Sequence, residues 1–162
     1  MHPLGRGPNG TASPRLRHGV GTAQARRRRR YREVMPQLIS PSSLATPVAA
    51  YSHGAVILPG ERVLHTAGTV ATRPDGSIAD TVGEQAEDVW RSLAAICAEA
   101  AMSLQDTVSY TTYVVVGNDL GLVMAARDVA LAGHAAASTL IVVPTLARPE
   151  WKVEIALIAS AT

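Results

Sequence analysis

The last segment of the chain, residues 151–159, constrains the fold more than any other. Apart from Lys152 and Glu154 its residues are all apolar, which predicts a β-strand with two unlike faces. Trp151, Val153, Ile155 and Leu157 share one face, and Lys152, Glu154, Ala156 and Ile158 share the other. Such a strand belongs to a sheet that buries one of its two faces. Glu154 is then either a solvated charge on the other face or part of a pocket.

Composition bounds the class of protein. The chain has 162 residues, of which 47% are hydrophobic and 17% charged, as expected of one globular domain. Its single cysteine, Cys97, excludes an intramolecular disulfide, and its Ala-rich helical surroundings predict a small buried residue rather than a nucleophile. The five histidines are scattered and form no cluster with metal-ligand spacing, so we expect no metal site. No apolar run is long enough to span a membrane.

The formal net charge of +2 combines two segments of opposite sign. Residues 1–34 hold nine arginines and one acid, whereas residues 35–162 hold six basic and twelve acidic residues, a net charge of −6. The first segment lacks hydrophobic periodicity, which predicts a disordered extension. It is either an upstream stretch read from a misassigned start, which we favour, or an arm for nucleic acid, a membrane surface or an import receptor. No apolar segment of a secretory signal follows it, so we expect a cytoplasmic protein.

From residue 35 onward, predicted strands and helices alternate. The predicted strands are residues 51–58 and 62–70, joined as a hairpin by Pro59-Gly-Glu61, then 107–116, 138–143 and 151–159. The predicted helices run from the capping box Thr81-Val-Gly-Glu84 to about Met102, with a core-facing stripe of Val89, Leu93, Ile96 and Ala100, and from about 120 to 132. The order β-β-α-β-α-β-β predicts an α+β domain whose two helices cover one face of a sheet. The uncovered face predicts self-association.

Several short motifs stand in a fixed order along this domain. They are Tyr51 shortly before a glycine, His65-Thr-Ala-Gly68, Asp106-Thr-Val-Ser-Tyr-Thr-Thr-Tyr-Val114, Asn118-Asp119 and Val153-Glu-Ile155. Together they resemble the RidA/YjgF family of reactive-intermediate deaminases over roughly residues 36–160. The resemblance implies a chorismate-mutase-like fold and a homotrimer, in which three sheets form a central barrel and small-molecule pockets lie in the clefts between subunits.

The resemblance also implies a chemistry. Members of the archetypal kind hydrolyse enamines and imines to 2-keto acids and ammonia without a cofactor, using an arginine to hold the substrate carboxylate and a glutamate to position the water. Glu154 matches the catalytic glutamate. Tyr51, Gly68 and Tyr113 match the pocket tyrosine, the glycine beside the ligand and the aromatic wall.

The sequence departs from the family pattern in the same pocket. Where the family has its arginine, this chain has Ala137, Ser138 and Thr139, and Ala67 replaces the usual serine. We therefore expect a substrate other than 2-aminoacrylate. Arg148 precedes the strand of Glu154 and is the best substitute cation, although it is also interpreted as a solvated loop residue or a partner of Glu150.

Three functions stay open from the sequence. The first is hydrolysis of an imine, an enamine or a related reactive intermediate that lacks a free carboxylate. The second is a non-catalytic trimer that binds a small molecule. The third is RNA cleavage, which the charge of −6 over residues 35–162 disfavours because RNA binding depends on phosphate neutralisation.

Overall fold

A computed structural model describes residues 37–47 and 49–162; the predicted extension, residues 1–34, lies outside them. The strands are β1 (Gln37–Ile39), β2 (Gly54–Val56), β3 (Arg62–His65), β4 (Thr69–Val70), β5 (Thr107–Val115), β6 (Ala137–Val143) and β7 (Val153–Ala161). The helices are α1 (Val82–Glu99) and α2 (Leu120–Leu131), with a short 3-10 helix (Leu104–Asp106) before β5. Within the described part, neither α-helix is long and apolar enough to cross a bilayer.

The main sheet has the strand order β3-β7-β5-β6, with β4 also paired to β7. β7 is antiparallel to β3, β4 and β5, whereas β5 and β6 are parallel. A parallel pair needs a crossover connection, and α2 lies within that connection. Both helices contribute to the core against the same face of the sheet, which is the predicted α+β chorismate-mutase-like arrangement.

The alternation predicted for the last strand is present in β7. Val153, Ile155 and Leu157 are buried, whereas Glu154 and Ala156 between them are half-buried. The odd-numbered side chains lie in the core between sheet and helices. Glu154 therefore lies on the opposite face, which we call the open face of the sheet.

Helix α1 begins as its capping box predicts. The Thr81 hydroxyl accepts a hydrogen bond from the Glu84 N–H and donates one to the Glu84 carboxylate. The buried stripe is Val82, Ala86, Val89, Leu93 and Cys97. The prediction that Ile96 faces the core is wrong, since this residue is 38% exposed. Spacings of three and four from Val82 bring Cys97, rather than its neighbour, to the sheet.

The predicted hairpin between residues 51–58 and 62–70 is wrong. The turn itself forms, with Gly60 at a φ of +89°. However, β2 pairs with β1, while β3 and β4 both pair with β7. Turn residues specify only the reversal of the chain, whereas the pairing of each strand depends on partners distant in the sequence.

Candidate functional site

Glu154 lies at the centre of the open face. It is directly opposite Tyr113 of β5 on one side and Val70 of β4 on the other. Directly opposite residues in neighbouring strands share a face of the sheet. The half-buried side chains of Glu154 and Tyr113 are therefore neighbours.

The backbone of Gly68 approaches the Glu154 carboxylate closely. A Cβ built on Gly68 would lie 1.8 Å from Glu154 Oε1 and 2.8 Å from its carboxyl carbon. With the carboxylate in this place, position 68 has no room for a Cβ, so any other residue there would displace the end of the Glu154 side chain. Among the described residues, no hydrogen bond or ion pair engages the Glu154 carboxylate, so its oxygens are available as acceptors.

Residues 137–139, which the resemblance places at the position of the family's arginine, are remote from Glu154 within one chain. The β6 neighbour of Tyr113 is Ile141. Ala137 precedes Ile141 by four residues, which is roughly 13 Å along the strand. Ala137 and Thr139 pair with open-face residues of β5 and so share the face of Glu154, but they do not contact it.

Two predicted binding residues lie on the other side of the sheet. Tyr51 and Ser138 line a cavity of about 250 Å³ between α2 and the sheet, where Ser138 is paired with the buried Tyr110. The segment of Tyr51 is held beside the start of β6 by Ser52, whose N–H donates a hydrogen bond to the Ala136 carbonyl at 3.3 Å. The structure therefore divides the predicted site residues between two faces.

Neither Ala67 nor Arg148 makes a hydrogen bond or an ion pair with Glu154 in the described part of the chain. Ala67 is exposed, and its carbonyl accepts a hydrogen bond from the Thr69 hydroxyl at 3.3 Å. The Arg148 guanidinium lies 5.3 Å from the centre of the Trp151 ring, a cation–π contact. In the described part of the chain, Arg148 pairs with no carboxylate, neither that of Glu150 nor that of Glu154.

The histidines have structural or solvent-exposed positions. His134 is buried, and its Nε2 lies 2.6 Å from the Thr107 carbonyl oxygen. His65 is exposed on β3, opposite Ile158 of β7. Between residues 37 and 162, leaving aside residue 48, no group of three His, Cys, Asp or Glu is arranged to hold a metal ion.

Two important residues escaped the sequence reasoning. Gln85 is fully buried; its Nε2 donates to the Ala79 and Glu150 carbonyls, and its Oε1 accepts from the Lys152 N–H at 2.8 Å. This amide therefore ties α1 to the segment that enters β7 and so positions the strand of Glu154. In the sequence, Gln85 is recognisable only as a polar residue beside the apolar stripe of α1.

The second residue, Arg127, lines the cavity between α2 and the sheet. In the sequence, its burial is indicated by its position in α2, four residues after the apolar Val123.

A protein-family model matches most of the described chain. The model for endoribonuclease L-PSP covers residues 42–161. None of the curated proteins compared with the sequence matches it.

Solved structures with the same fold agree with the family model. A Rid-family protein of unknown function from Yersinia pestis, YyfB, has 28% sequence identity and a TM-score of 0.69, covering 78% of this chain and 98% of that chain. A YjgF-family protein from Neisseria meningitidis has 25% identity and a TM-score of 0.56, covering 73% and 91%. RidA from Psychrobacter has 22% identity and a TM-score of 0.57, covering 76% and 98%, and shows likeness of fold alone.

Proposed function

The chain belongs to the RidA/YjgF family, whose model is described as endoribonuclease L-PSP, and from this premise we propose a hydrolytic deaminase of imines or enamines with Glu154 as its catalytic residue. The observation that carries the proposal is the placement of the carboxylate. Glu154 is half-buried on the open face, lies against the Gly68 backbone and is engaged by no described side chain. A carboxylate in this state can accept a proton from a water molecule.

The reaction needs no group beyond water and the carboxylate. Glu154 takes a proton from water while the water oxygen bonds to the imine carbon, and the C=N electron pair moves to nitrogen. Glu154 then returns this proton to the nitrogen, which gives a neutral carbinolamine. Glu154 next takes the hydroxyl proton as the carbonyl forms and passes it to the nitrogen as the C–N bond breaks, so that ammonia leaves and the carboxylate is restored. Backbone N–H groups near Gly68 are candidates to support charge that develops on the substrate.

The substrate is proposed to lack a free carboxylate. A guanidinium would bind a planar carboxylate through two hydrogen bonds, but β6 carries Ala137, Ser138 and Thr139 at the family's arginine position. Arg148 is engaged with Trp151 and is not placed near Glu154 by any contact. Loss of charge-assisted bonds worth about 1.5–3 kcal/mol each lowers the rate on an amino-acid-derived enamine by orders of magnitude.

The proposed active unit is a homotrimer in the cytoplasm. In the described part of the chain, both helices lie on the other side of the sheet, and the open face exposes apolar side chains such as Val63 and Ile141. Glu154 and the Ala137 region are remote within one chain, so a cleft between subunits is needed to bring both to one ligand. A mass by light scattering of three times the chain mass supports this arrangement, and a monomer refutes it.

A non-catalytic binder is the second candidate. It is favoured by the absence of an ion pair to Glu154 among the described residues, because an arginine that holds the substrate is part of the chemistry that the resemblance implies. The family model's description names RNA cleavage as a third candidate, against which the charge of −6 over residues 35–162 argues.

One experiment separates catalysis from binding. An oxidase generates imines from several amines and amino acids, and the release of ammonia is followed with wild type, Glu154→Gln and the matched control Glu99→Gln, which changes an exposed glutamate of α1. Catalysis by Glu154 predicts a loss of about 10²–10⁴-fold in Glu154→Gln and none in the control. No turnover of any imine by the wild type would favour the binder instead.

A further inference from the structure

The cavity between α2 and the sheet carries polar groups that the proposed function does not use. Its volume is about 250 Å³, and its lining includes Arg127 and Met124 of α2, Thr112 of β5 and Ser138 of β6, together with Tyr51. Typical ligand pockets occupy roughly 300–1,000 Å³, so this cavity suits a ligand of few heavy atoms.

Arg127 supplies a buried positive charge. Its side chain is only 11% exposed, and its Nε and Nη2 both donate to the Asp128 Oδ1 atom, at 2.9 and 2.6 Å. Asp128 is 54% exposed, so water screens its charge. A guanidinium has five N–H donors, and among the described residues the other three have no hydrogen-bond acceptor. A largely buried guanidinium with unused N–H groups can donate charge-assisted hydrogen bonds to an anion bound beside it.

The inner wall adds further hydrogen-bonding capacity. Trp90 and Tyr110 line the cavity, are 2% and 3% exposed, and pack edge to face with ring centres 5.5 Å apart. The Trp90 Nε1 and the Tyr110 hydroxyl are buried and have no partner among the described residues. Trp90 and Arg127 can only donate hydrogen bonds, so the group they fit is an acceptor.

The remaining lining is apolar. Val123, Leu140 and Ile155 contribute aliphatic walls. A bare inorganic anion would make no apolar contact with these walls. A carboxylate with a short aliphatic tail would bind both the hydrogen-bond donors and the aliphatic walls. We propose that this cavity is a second ligand site that binds a small aliphatic carboxylate, with its carboxylate on Arg127 and its tail against the aliphatic walls.

This site is separate from the proposed catalytic glutamate. Thr112 and Ile155 of the cavity are adjacent in sequence to Tyr113 and Glu154, and adjacent residues of a strand face opposite sides of the sheet. The sheet therefore lies between a ligand in the cavity and Glu154. Binding in the cavity consequently does not depend on the proposed deaminase activity.

Nuclear magnetic resonance of the full chain tests the site directly. The protein has two tryptophans, and Trp151→Phe assigns the two indole N–H resonances. The probes are 3-methylbutanoate and its neutral amide, which have the same shape. We expect the carboxylate to shift the Trp90 resonance and not that of Trp151, and the amide to bind about 10- to 100-fold more weakly. Equal affinity for acid and amide, or an unmoved Trp90 resonance, overturns the proposal.

Variants identify the cation. Arg127→Met is expected to lower the affinity for 3-methylbutanoate at least tenfold, whereas the matched control Arg62→Met, on the opposite edge strand β3, leaves it unchanged. Unchanged affinity in a folded Arg127→Met refutes the site. Should that variant not fold, the comparison of acid and amide on the wild type decides alone. Glu154→Gln is expected to keep full affinity, which separates this site from the proposed function.

Discussion

Replacement of Gly68 by alanine tests the position of the Glu154 carboxylate without removing it. The added Cβ would lie 1.8 Å from Glu154 Oε1, and real Cβ atoms do not approach closer than 3.0 Å. The carboxylate must therefore move by about 1.2 Å. Only the end of a flexible side chain is displaced, and Gly68 is not among the residues with positive φ, so its backbone accommodates alanine.

The expected effects on activity and stability differ in size. A misplacement of about 1 Å in a reacting group costs on the order of 10²-fold in rate, or about 2.7 kcal/mol of transition-state stabilisation. Gly→Ala at a compatible position stabilises a protein by about 0.4–1 kcal/mol through the unfolded chain, which offsets the displaced side chain. We therefore expect Gly68→Ala to lose about 10²-fold in kcat/KM and to change the free energy of unfolding by less than about 1 kcal/mol.

Imine hydrolysis and urea unfolding measure the two quantities on the same preparation. The matched control is Gly54→Ala, because a Cβ on Gly54 of β2 meets no atom within 4 Å. The control is expected to keep wild-type activity. Wild-type kcat/KM in Gly68→Ala, or an equal loss in Gly54→Ala, would show that the contact between Gly68 and the carboxylate does not govern the reaction.

Three further predictions concern the scaffold. Burial raises the pKa of the Cys97 thiol, so we expect no reaction with a thiol reagent until the protein unfolds, and fast labelling of native protein would contradict this. Thr81→Ala removes the N-cap of α1 and should cost about 1 kcal/mol by urea unfolding, against less than about 0.5 for Thr145→Ala in an exposed loop. Gln85→Leu leaves three main-chain groups unpaired and should cost about 2–4 kcal/mol, whereas Gln105→Leu, which loses one bond, should cost about 1; equal losses would refute the proposed tie.

Local patterns in the sequence predicted the elements that local physics determines. The β-branched run at residues 107–116 is β5, the capping box at Thr81 begins α1, and the alternation of residues 151–159 separates the two faces of β7. Each of these signals is satisfied within one element, by side-chain periodicity or by a cap. The pairing of the 51–58 segment could not be predicted in this way. The turn at Gly60 reverses the chain, but β2 pairs with β1 and β3 pairs with β7, and neither partner is indicated by the residues of the turn.

The positions of Glu154 and Arg127 follow from the same physical rule, applied to a strand and to a helix. A charged residue within a segment of regularly spaced apolar residues either lies on the opposite face of its element or is buried with a charged or hydrogen-bonding partner. In β7 the period of two turns Glu154 to the open face, where it meets Gly68 rather than a cation. In α2 a spacing of four from Val123 keeps Arg127 on the sheet side, beside the cavity. Within the described residues, one sheet therefore separates a carboxylate without an ion pair from a guanidinium with unused donors. We accordingly expect a carboxylate ligand to bind in the cavity rather than on the open face.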